Sequence, residues 1–104
     1  MKRGEVWWAD LPTPAGRRPV LLLSRNAAYA VRSLVTIARI TRTIRGIPAE
    51  VPLGLADGLP QPCVVNCDSL TTFPKELLAE RIVPLRPAKL AAVSAAYRFA
   101  LSIS

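Results

Sequence analysis

The sequence predicts a single, mainly β domain over residues 1–104 that ends in an α-helix. Three observations support this fold class. The chain has 104 residues, 51% of them hydrophobic, which suits one compact core. Most apolar segments are short, β-branched or alternating, and prolines and glycines separate them, as in antiparallel strands. Only the last segment has helical spacing.

The first two strands are predicted to form a hairpin. The segment GEVWWADL (residues 4–11) alternates around two tryptophans, and PTPAG interrupts the chain before RPVLLLS resumes it. Pro19 has no N–H to donate to a ladder, so we expect it at the beginning of the second strand. Residues 20–24 are nearly all aliphatic, which is typical of a central strand covered on both faces.

A third strand follows a weakly structured segment. Residues 25–33 are rich in alanine and predict a loop with one helical turn. Residues 33–44 are β-branched and alternating, which indicates a strand. Alternation places Arg39, Thr41 and Thr43 side by side on one face of its second half.

The second half of the chain predicts shorter elements. Residues 46–54 contain prolines and suit an edge strand, whereas residues 63–66 suit a buried strand. The segment FPKELLAERI predicts one short helix with Pro74 at its first position, followed by a strand piece over residues 82–85.

The C-terminal segment predicts an amphipathic helix. Pro87 lies near its start, and Leu90, Val93, Tyr97 and Leu101 recur at helical spacing. We expect the apolar face of this helix to pack on the sheet or on a second subunit.

The two cysteines and the hydropathy of the chain indicate where the protein is located. Cys63 and Cys67 on a strand would lie about 13 Å apart, too far for a disulfide. Two cysteines without histidine fall short of a zinc site, so we expect two buried thiols. No segment reaches the roughly 18 to 20 apolar residues of a membrane span, and the N-terminus lacks the apolar core of a signal peptide. A cytoplasmic protein without membrane association is expected.

The charge is concentrated in the first half of the chain. The formal net charge is +7, and residues 1–50 hold nine basic residues against three acidic ones. Arginine forks grip phosphate oxygens in a bidentate geometry, so this bias favours a polyanionic partner, with a solvated surface as the alternative. Seven arginines, with no lysine and no acid, lie between Asp10 and Glu50: Arg17, Arg18, Arg25, Arg32, Arg39, Arg42 and Arg45.

The residue inventory excludes several kinds of chemistry. The chain has no histidine, the commonest side chain for proton transfer near neutral pH, and its seven carboxylates are scattered. Neither phosphate-loop nor dinucleotide-binding glycine patterns occur, so no metal or cofactor is expected. Arginine guanidinium groups and side-chain hydroxyls remain as the groups that could support catalysis. This pair suits RNA, whose 2′-OH is an internal nucleophile that an enzyme need only position while it stabilises charge on phosphate.

Four segments together resemble one known family. KRGEVWWADL, GRRPVLLLS, ITRTI (residues 40–44) and VVNCDSLTTF (residues 64–73), in this order, are similar to the MazF/PemK toxins of bacterial toxin–antitoxin pairs. The resemblance implies a small SH3-like antiparallel β-barrel with a C-terminal α-helix. It also implies a homodimer that cuts single-stranded RNA sequence-specifically without metal, leaving a 2′,3′-cyclic phosphate and a 5′-OH. A cognate antitoxin would block the RNA groove.

The resemblance also implies which residues act. The family's active arginine, directly before the proline, maps onto Arg18, and its partner hydroxyl maps onto Thr41. Two alternatives stay open: Arg18 as a surface ion pair with Asp10 or Glu5, and Thr41 as a mere β-former. Six further residues are expected to contact RNA: Arg17, Ser24, Arg39, Arg42, Asp68 and Ser69.

This chain departs from the family pattern at two places. Its first loop is short and has no acid, so a loop carboxylate has no counterpart here. Ser69 stands where relatives often have glutamine. Trp7 and Trp8 cannot both face inward on a regular strand, which favours core or dimer packing for them over base stacking. Two other functions remain open: a toxin of the same barrel type that inhibits a protein target such as gyrase, and a non-catalytic RNA-binding module.

Overall fold

The computed structural model describes residues 1–103 and confirms a mainly β chain with a C-terminal helix. Its strands and α-helices, in chain order, are β1 (Glu5–Leu11), β2 (Gly16–Leu22), α1 (Ala28–Val31), β3 (Leu34–Thr41), β4 (Glu50–Leu53), β5 (Cys63–Asn66), β6 (Thr71–Pro74), β7 (Leu78–Pro84) and α2 (Pro87–Ala100). Single 3₁₀ turns cover Leu55–Asp57 and Lys75–Leu77.

The strands form one antiparallel sheet that curls into a half-barrel of the expected SH3-like type. Its order is β4-β5-β3-β2-β1-β7, so the Pro-containing β4 lies at an edge, as predicted. Strand β3 is the branch point: its first half pairs with β6, and Ile40 and Thr41 pair with β5. The other edge of β3 pairs with β2 over Ile37–Arg39. Because β3 has neighbours on both edges, it holds the curled sheet together.

The two faces of β3 enter two separate hydrophobic clusters. Val35 and Ile37 pack into one cluster with Ala9, Val20 and Leu22. The next residues on the opposite face, Ala38 and Ile40, enter the larger cluster beneath α2. This outcome confirms the predicted alternation for residues 35–40, but β3 ends at Thr41, so Thr43 lies outside the strand. Arg39 and Thr41 therefore continue the face that begins with Val35 and Ile37, beyond the end of its core.

Helix α2 packs on the larger cluster through Val93 and Ala96. Pro87 is its first residue, where the missing N–H costs nothing. The hydroxyl of Tyr97 donates to the Ser69 carbonyl at 3.1 Å, which fixes the far end of the helix to the loop after β5. The predicted apolar stripe ends there, because Leu101 lies past the helix and is exposed.

Two predictions about the strands are wrong. Pro19 is the fourth residue of β2 rather than its first. Pro19 pairs with Trp8 on β1, but the ladder with β3 begins only at Val20. No backbone N–H is therefore needed at Pro19 on the side of β2 that faces β3. The helix expected over FPKELLAERI is also absent. Only one 3₁₀ turn forms, because Leu78 enters β7 and pairs with Ala9.

The N-terminus is fixed by a buried carboxylate. Glu5 accepts hydrogen bonds from the Lys2 N–H at 2.9 Å, the Trp7 indole at 3.0 Å and the Arg81 guanidinium at 3.2 Å. Burial alone would raise the pKa of Glu5, but these donors outweigh it, and the pKa is lowered. Gly4 just before it has φ +90, and a Cβ there would lie 2.9 Å from Leu90. Glycine is therefore required where α2 crosses the start of β1.

Both cysteines are buried free thiols, as expected. Burial raises the pKa of Cys67 to about 11, and the pKa of Cys63 is raised by burial and, to a smaller extent, by the charge of Asp57. Among the described residues, no helix is long and apolar enough to span a membrane.

Candidate functional site

A groove opens where β2 and β3 separate. The two strands pair only over Val20–Leu22 and Ile37–Arg39, and beyond Val20 the ladder ends. If the same antiparallel register continued for two residues past the end of the ladder, Arg18 would come to the level of Thr41. The groove has a volume of about 730 Å³, and both Arg18 and Thr41 line it. The arginine and the hydroxyl predicted as catalytic thus belong to one site.

The groove is cationic. Five of the eight predicted site residues line it: Arg17, Arg18, Arg39, Thr41 and Arg42. No carboxylate is among the described residues of its lining. Four guanidinium groups around one depression attract an anion, and their planar forks match phosphate oxygens.

Arg17 and Arg18 are adjacent in the chain but have different partners. Arg17 lies opposite Asp10 in the β1–β2 ladder, and its Nε donates to Asp10 Oδ1 at 2.9 Å. This hydrogen bond, with the charge of Asp10, raises the pKa of Arg17. Arg18 points to the other face of β2 and lies opposite Ala9. Within residues 1–103, Arg18 makes no salt bridge, since Asp10 pairs with Arg17 and Glu5 with Arg81.

Thr41 ends β3 and keeps a hydroxyl hydrogen available. Its Oγ1 accepts a hydrogen bond from the backbone N–H of Thr43 at 3.1 Å, which turns the chain out of the sheet. A hydroxyl has one O–H donor besides its acceptor sites. The Thr43 contact orients Oγ1 while leaving that donor free to bind a phosphate oxygen.

Three predicted RNA contacts are not in this groove. Ser24 Oγ accepts from the Thr36 N–H at 2.8 Å and so has a structural partner in β3. The Asp68 N–H donates to Asn66 Oδ1 at 3.0 Å in the turn after β5. Ser69 gives its carbonyl to Tyr97, and its own hydroxyl is buried with no partner among the described residues. Their role in RNA binding stays a prediction.

Further lining of the groove comes from residues that the sequence analysis did not identify. Leu59, Pro60 and Gln61 lie in the loop between the 3₁₀ turn and β5, Cys63 is the first residue of β5, and Trp8 lies in β1. Arg42 Nη1 donates to Gln61 Oε1 at 3.2 Å within this lining. The only local sequence signal is one polar residue between two prolines, PQP, ahead of a buried strand. Trp7, by contrast, packs against the core cluster of Ala9 and Val20.

The site offers donors rather than metal ligands. Across residues 1–103, no group of three or more acidic, histidine or cysteine side chains is placed to hold a metal ion. The groove presents guanidinium N–H groups and a hydroxyl instead. Such an arrangement binds a phosphodiester and stabilises negative charge that develops on it.

Fold and groove together define a small antiparallel β-barrel protein with an arginine-rich cleft. The chain belongs to the family described as PemK-like, MazF-like toxin of type II toxin–antitoxin system, which matches residues 2–101. It is 41% identical over 91 residues to "Probable endoribonuclease MazF2" of Mycobacterium tuberculosis, covering 86% of this chain and 87% of the relative. "Probable endoribonuclease MazF5" of the same species is 37% identical over 103 residues, covering 98% and 94%.

Solved structures share the fold. The chain is similar to "Mycobacterium tuberculosis toxin MazF-mt6", with a TM-score of 0.87, 35% identity and coverage of 96% of this chain and 98% of that one. It is also similar to "Endoribonuclease in complex with its cognate antitoxin from Mycobacterial species", with a TM-score of 0.87, 32% identity and coverage of 100% and 97%. The family resemblance inferred from four sequence segments is confirmed.

Proposed function

We propose that this protein is a toxin of a toxin–antitoxin pair that cleaves single-stranded RNA sequence-specifically and without a metal ion. Relatives that match most of the chain are named endoribonucleases. The observation that supports the proposal is one groove lined by both Arg18, which makes no salt bridge within residues 1–103, and the Thr41 hydroxyl.

Arg18 would hold the scissile phosphate. A guanidinium presents several N–H donors in one plane and can bind two non-bridging oxygens at once. As the phosphorus becomes five-coordinate, charge grows on those oxygens, and a donor already in place stabilises the transition state more than the ground state. Thr41 would donate its free O–H to the same phosphate and fix its orientation.

The reacting nucleophile would be the substrate's own 2′-oxygen. It forms a bond to phosphorus, the bond from phosphorus to the 5′-oxygen breaks, the 2′-OH proton passes to solvent, and the departing 5′-oxygen takes a proton from solvent. The products are a 2′,3′-cyclic phosphate and a 5′-OH. Deoxyribose lacks this hydroxyl, so the same groove would bind DNA without cutting it.

The other arginines of the groove would contact the RNA on either side of that phosphate. Arg39, which lies near Thr41 in β3, would bind a neighbouring phosphate, and Arg42, at the exit of the strand, would contact the adjoining nucleotide. Arg17 would contribute less, because Asp10 already neutralises much of its charge. Each phosphate contact adds affinity that falls as salt rises.

The biological partners are proposed on the same basis. One solved relative is a complex with a cognate antitoxin, and another is a MazE–MazF complex from Deinococcus radiodurans. We propose that an antitoxin likewise covers this groove, that the toxin acts as a homodimer, and that it acts in the cytoplasm, where RNA is available.

The test is cleavage of a mixed RNA pool by the purified protein in excess EDTA, with fragment ends mapped by sequencing and end chemistry. We expect cleavage at a recurring sequence, with cyclic-phosphate and 5′-OH ends, at the same rate with and without chelator. Loss of cleavage in EDTA that Mg²⁺ restores would assign the protein to a different nuclease class. Binding with no cleavage would leave an RNA-binding module.

A further inference from the structure

We infer that Gln61, held by Arg42, reads one base of the RNA beside the scissile phosphate. This inference rests on the proposed function and names the specificity determinant of the same site. Gln61 is in the loop that faces β2 and β3 across the groove, and Arg42 directly follows Thr41 in the chain. The two side chains therefore meet next to the place where the phosphate would bind, at an Nη1 to Oε1 distance of 3.2 Å.

The orientation of the Gln61 amide follows from its partner. A guanidinium has only donors, so the amide atom that faces Arg42 must be the oxygen. The amide nitrogen then points away from Arg42 and has two N–H donors to offer. Arg42 uses Nη1 in this contact, and its remaining N–H groups are also donors. The pair therefore presents two neighbouring donors at the exposed rim of the groove.

The surroundings of the pair suit a base rather than a second phosphate. Trp8, Leu59, Pro60 and Cys63 line the same groove as Gln61 and are apolar, and Leu59 and Cys63 are themselves buried in the core. The raised pKa of Cys63 keeps its thiol neutral at pH 7. Single-stranded RNA is commonly recognised with a base stacked on an aromatic side chain and its edge bound by polar groups. Trp8 and the Gln61–Arg42 pair supply these two components.

Two neighbouring donors select bases with two neighbouring acceptors. Guanine presents N7 beside O6, and cytosine presents N3 beside O2. Adenine pairs a donor with an acceptor on each of its hydrogen-bonding edges, and uracil separates its two carbonyls by an N–H. The Gln61–Arg42 pair should therefore require guanine or cytosine at one position of the cleavage sequence.

The test compares cleavage-site sequences of three proteins on one random RNA pool in EDTA. We expect the wild type to show guanine or cytosine at one position by on the order of 10-fold over other bases. Gln61→Ala should relax that position only. Gln61→Glu replaces the donor with an acceptor, so the pair then offers a donor beside an acceptor. Every base has an edge that matches this pattern, so the variant should lose the preference for guanine or cytosine.

Asn26→Asp is the matched control. It makes the same amide-to-acid change on an exposed side chain outside the groove lining, where Asn26 Oδ1 accepts from the Arg3 N–H at 2.7 Å and an acid can still accept. This variant should cleave with wild-type preference. A wild-type enzyme with no guanine or cytosine position, or a Gln61→Glu enzyme with unchanged preference, would overturn the inference and leave the proposed function standing. Wild-type protein that cuts no RNA would overturn both.

Discussion

Arginines in two regions of this molecule have opposite surroundings. Outside the groove lining, Arg81 and Arg45 each meet a nearly buried carboxylate, since the side chains of Glu5 and Glu50 are 9% and 2% exposed. In the groove, Arg18 and Arg39 lie in a lining without carboxylates and make no salt bridge within residues 1–103. Arg81 and Arg45 are neutralised by carboxylates of the same chain. Arg18 and Arg39 have no such partner and are available to bind an anionic ligand.

The carboxylates show what the pairing does for the fold. Burial would raise the pKa of Glu50, but the N–H groups of Arg45 and Gly46 and the Arg45 guanidinium outweigh it, so the pKa is lowered. Glu5 behaves in the same way. Both acids remain charged because several donors converge on them. A carboxylate of this kind in the groove would occupy the donors that the phosphate needs.

The largest expected effect separates two neighbours in the chain. Arg18→Ala should lower RNA cleavage at least about 100-fold, because it removes a preorganised charged donor from the phosphate. Arg17→Ala is the control: its partner Asp10 is exposed and the ion pair is at the surface, so we expect at most a few-fold change. Rates are measured on one mapped RNA substrate, with thermal unfolding of both variants as a check on the fold. Equal losses in the two variants would contradict the contrast.

The hydroxyl of Thr41 should matter somewhat less than the charge of Arg18. Thr41→Val keeps the β-branched shape and removes the donor, and we expect cleavage to fall about 10- to 100-fold. Thr41→Ser keeps the hydroxyl and should retain most activity. The two variants are compared by single-turnover cleavage. A wild-type cleavage rate in the valine variant would show that the Thr41 hydroxyl has no role in catalysis and that Thr41 only contributes to β3.

The paired region should affect stability instead of cleavage. Glu5→Gln should lower the free energy of unfolding by about 2 kcal/mol at pH 7, because donors from Trp7 and Arg81 lose a charged acceptor. Since the folded pKa of Glu5 is lowered from 4.5, its stabilisation is present above that pH and is lost as the pH falls through the folded pKa. Denaturant unfolding at pH 7 and pH 3 should show the difference from wild type shrinking in acid. A constant difference would contradict the lowered pKa.

The smallest effect concerns salt. Arg39→Ala should weaken binding of a non-cleavable 2′-deoxy analogue a few-fold and reduce the salt slope of log affinity by about 0.7, the value of one phosphate on a single strand. Arg25 is an exposed arginine outside the groove lining, so Arg25→Ala should leave the slope unchanged. Titrations at several salt concentrations measure both. Identical salt slopes of log affinity in all three proteins would show that Arg39 does not contact an RNA phosphate.

The contrast between the two regions also explains what the sequence could predict. Local periodicity predicts β2 and β3, and the family resemblance selects Arg18 and Thr41 on them. The structure places both residues in one groove lining. The Asp10 pairing of Arg17 depends on the hairpin register, which the loose first loop does not reveal. The short helix predicted at Pro74 does not form, because the pairing of Leu78 with β1 outweighs the local helix propensity of this segment.

Residues from loops were the hardest to place. Ser24, Asp68 and Ser69 follow strands in the sequence, but none of them lines the groove. The Ser24 hydroxyl has a backbone partner and the Ser69 hydroxyl is buried, whereas Asp68 is exposed elsewhere on the surface. Gln61 reaches the groove only because the loop before β5 crosses toward β3. Such placement depends on long-range chain geometry, which neither periodicity nor composition encodes.

The most direct test of the account changes the substrate rather than the protein. Once the cleavage position is mapped, the single 2′-OH on the 5′ side of the scissile phosphate is replaced by hydrogen in an otherwise unchanged RNA. If the groove only holds the phosphate while ribose attacks it, the wild-type enzyme should bind this RNA normally and leave it intact. Cleavage of the modified RNA at the same bond would show that the nucleophile comes from elsewhere and would contradict the account.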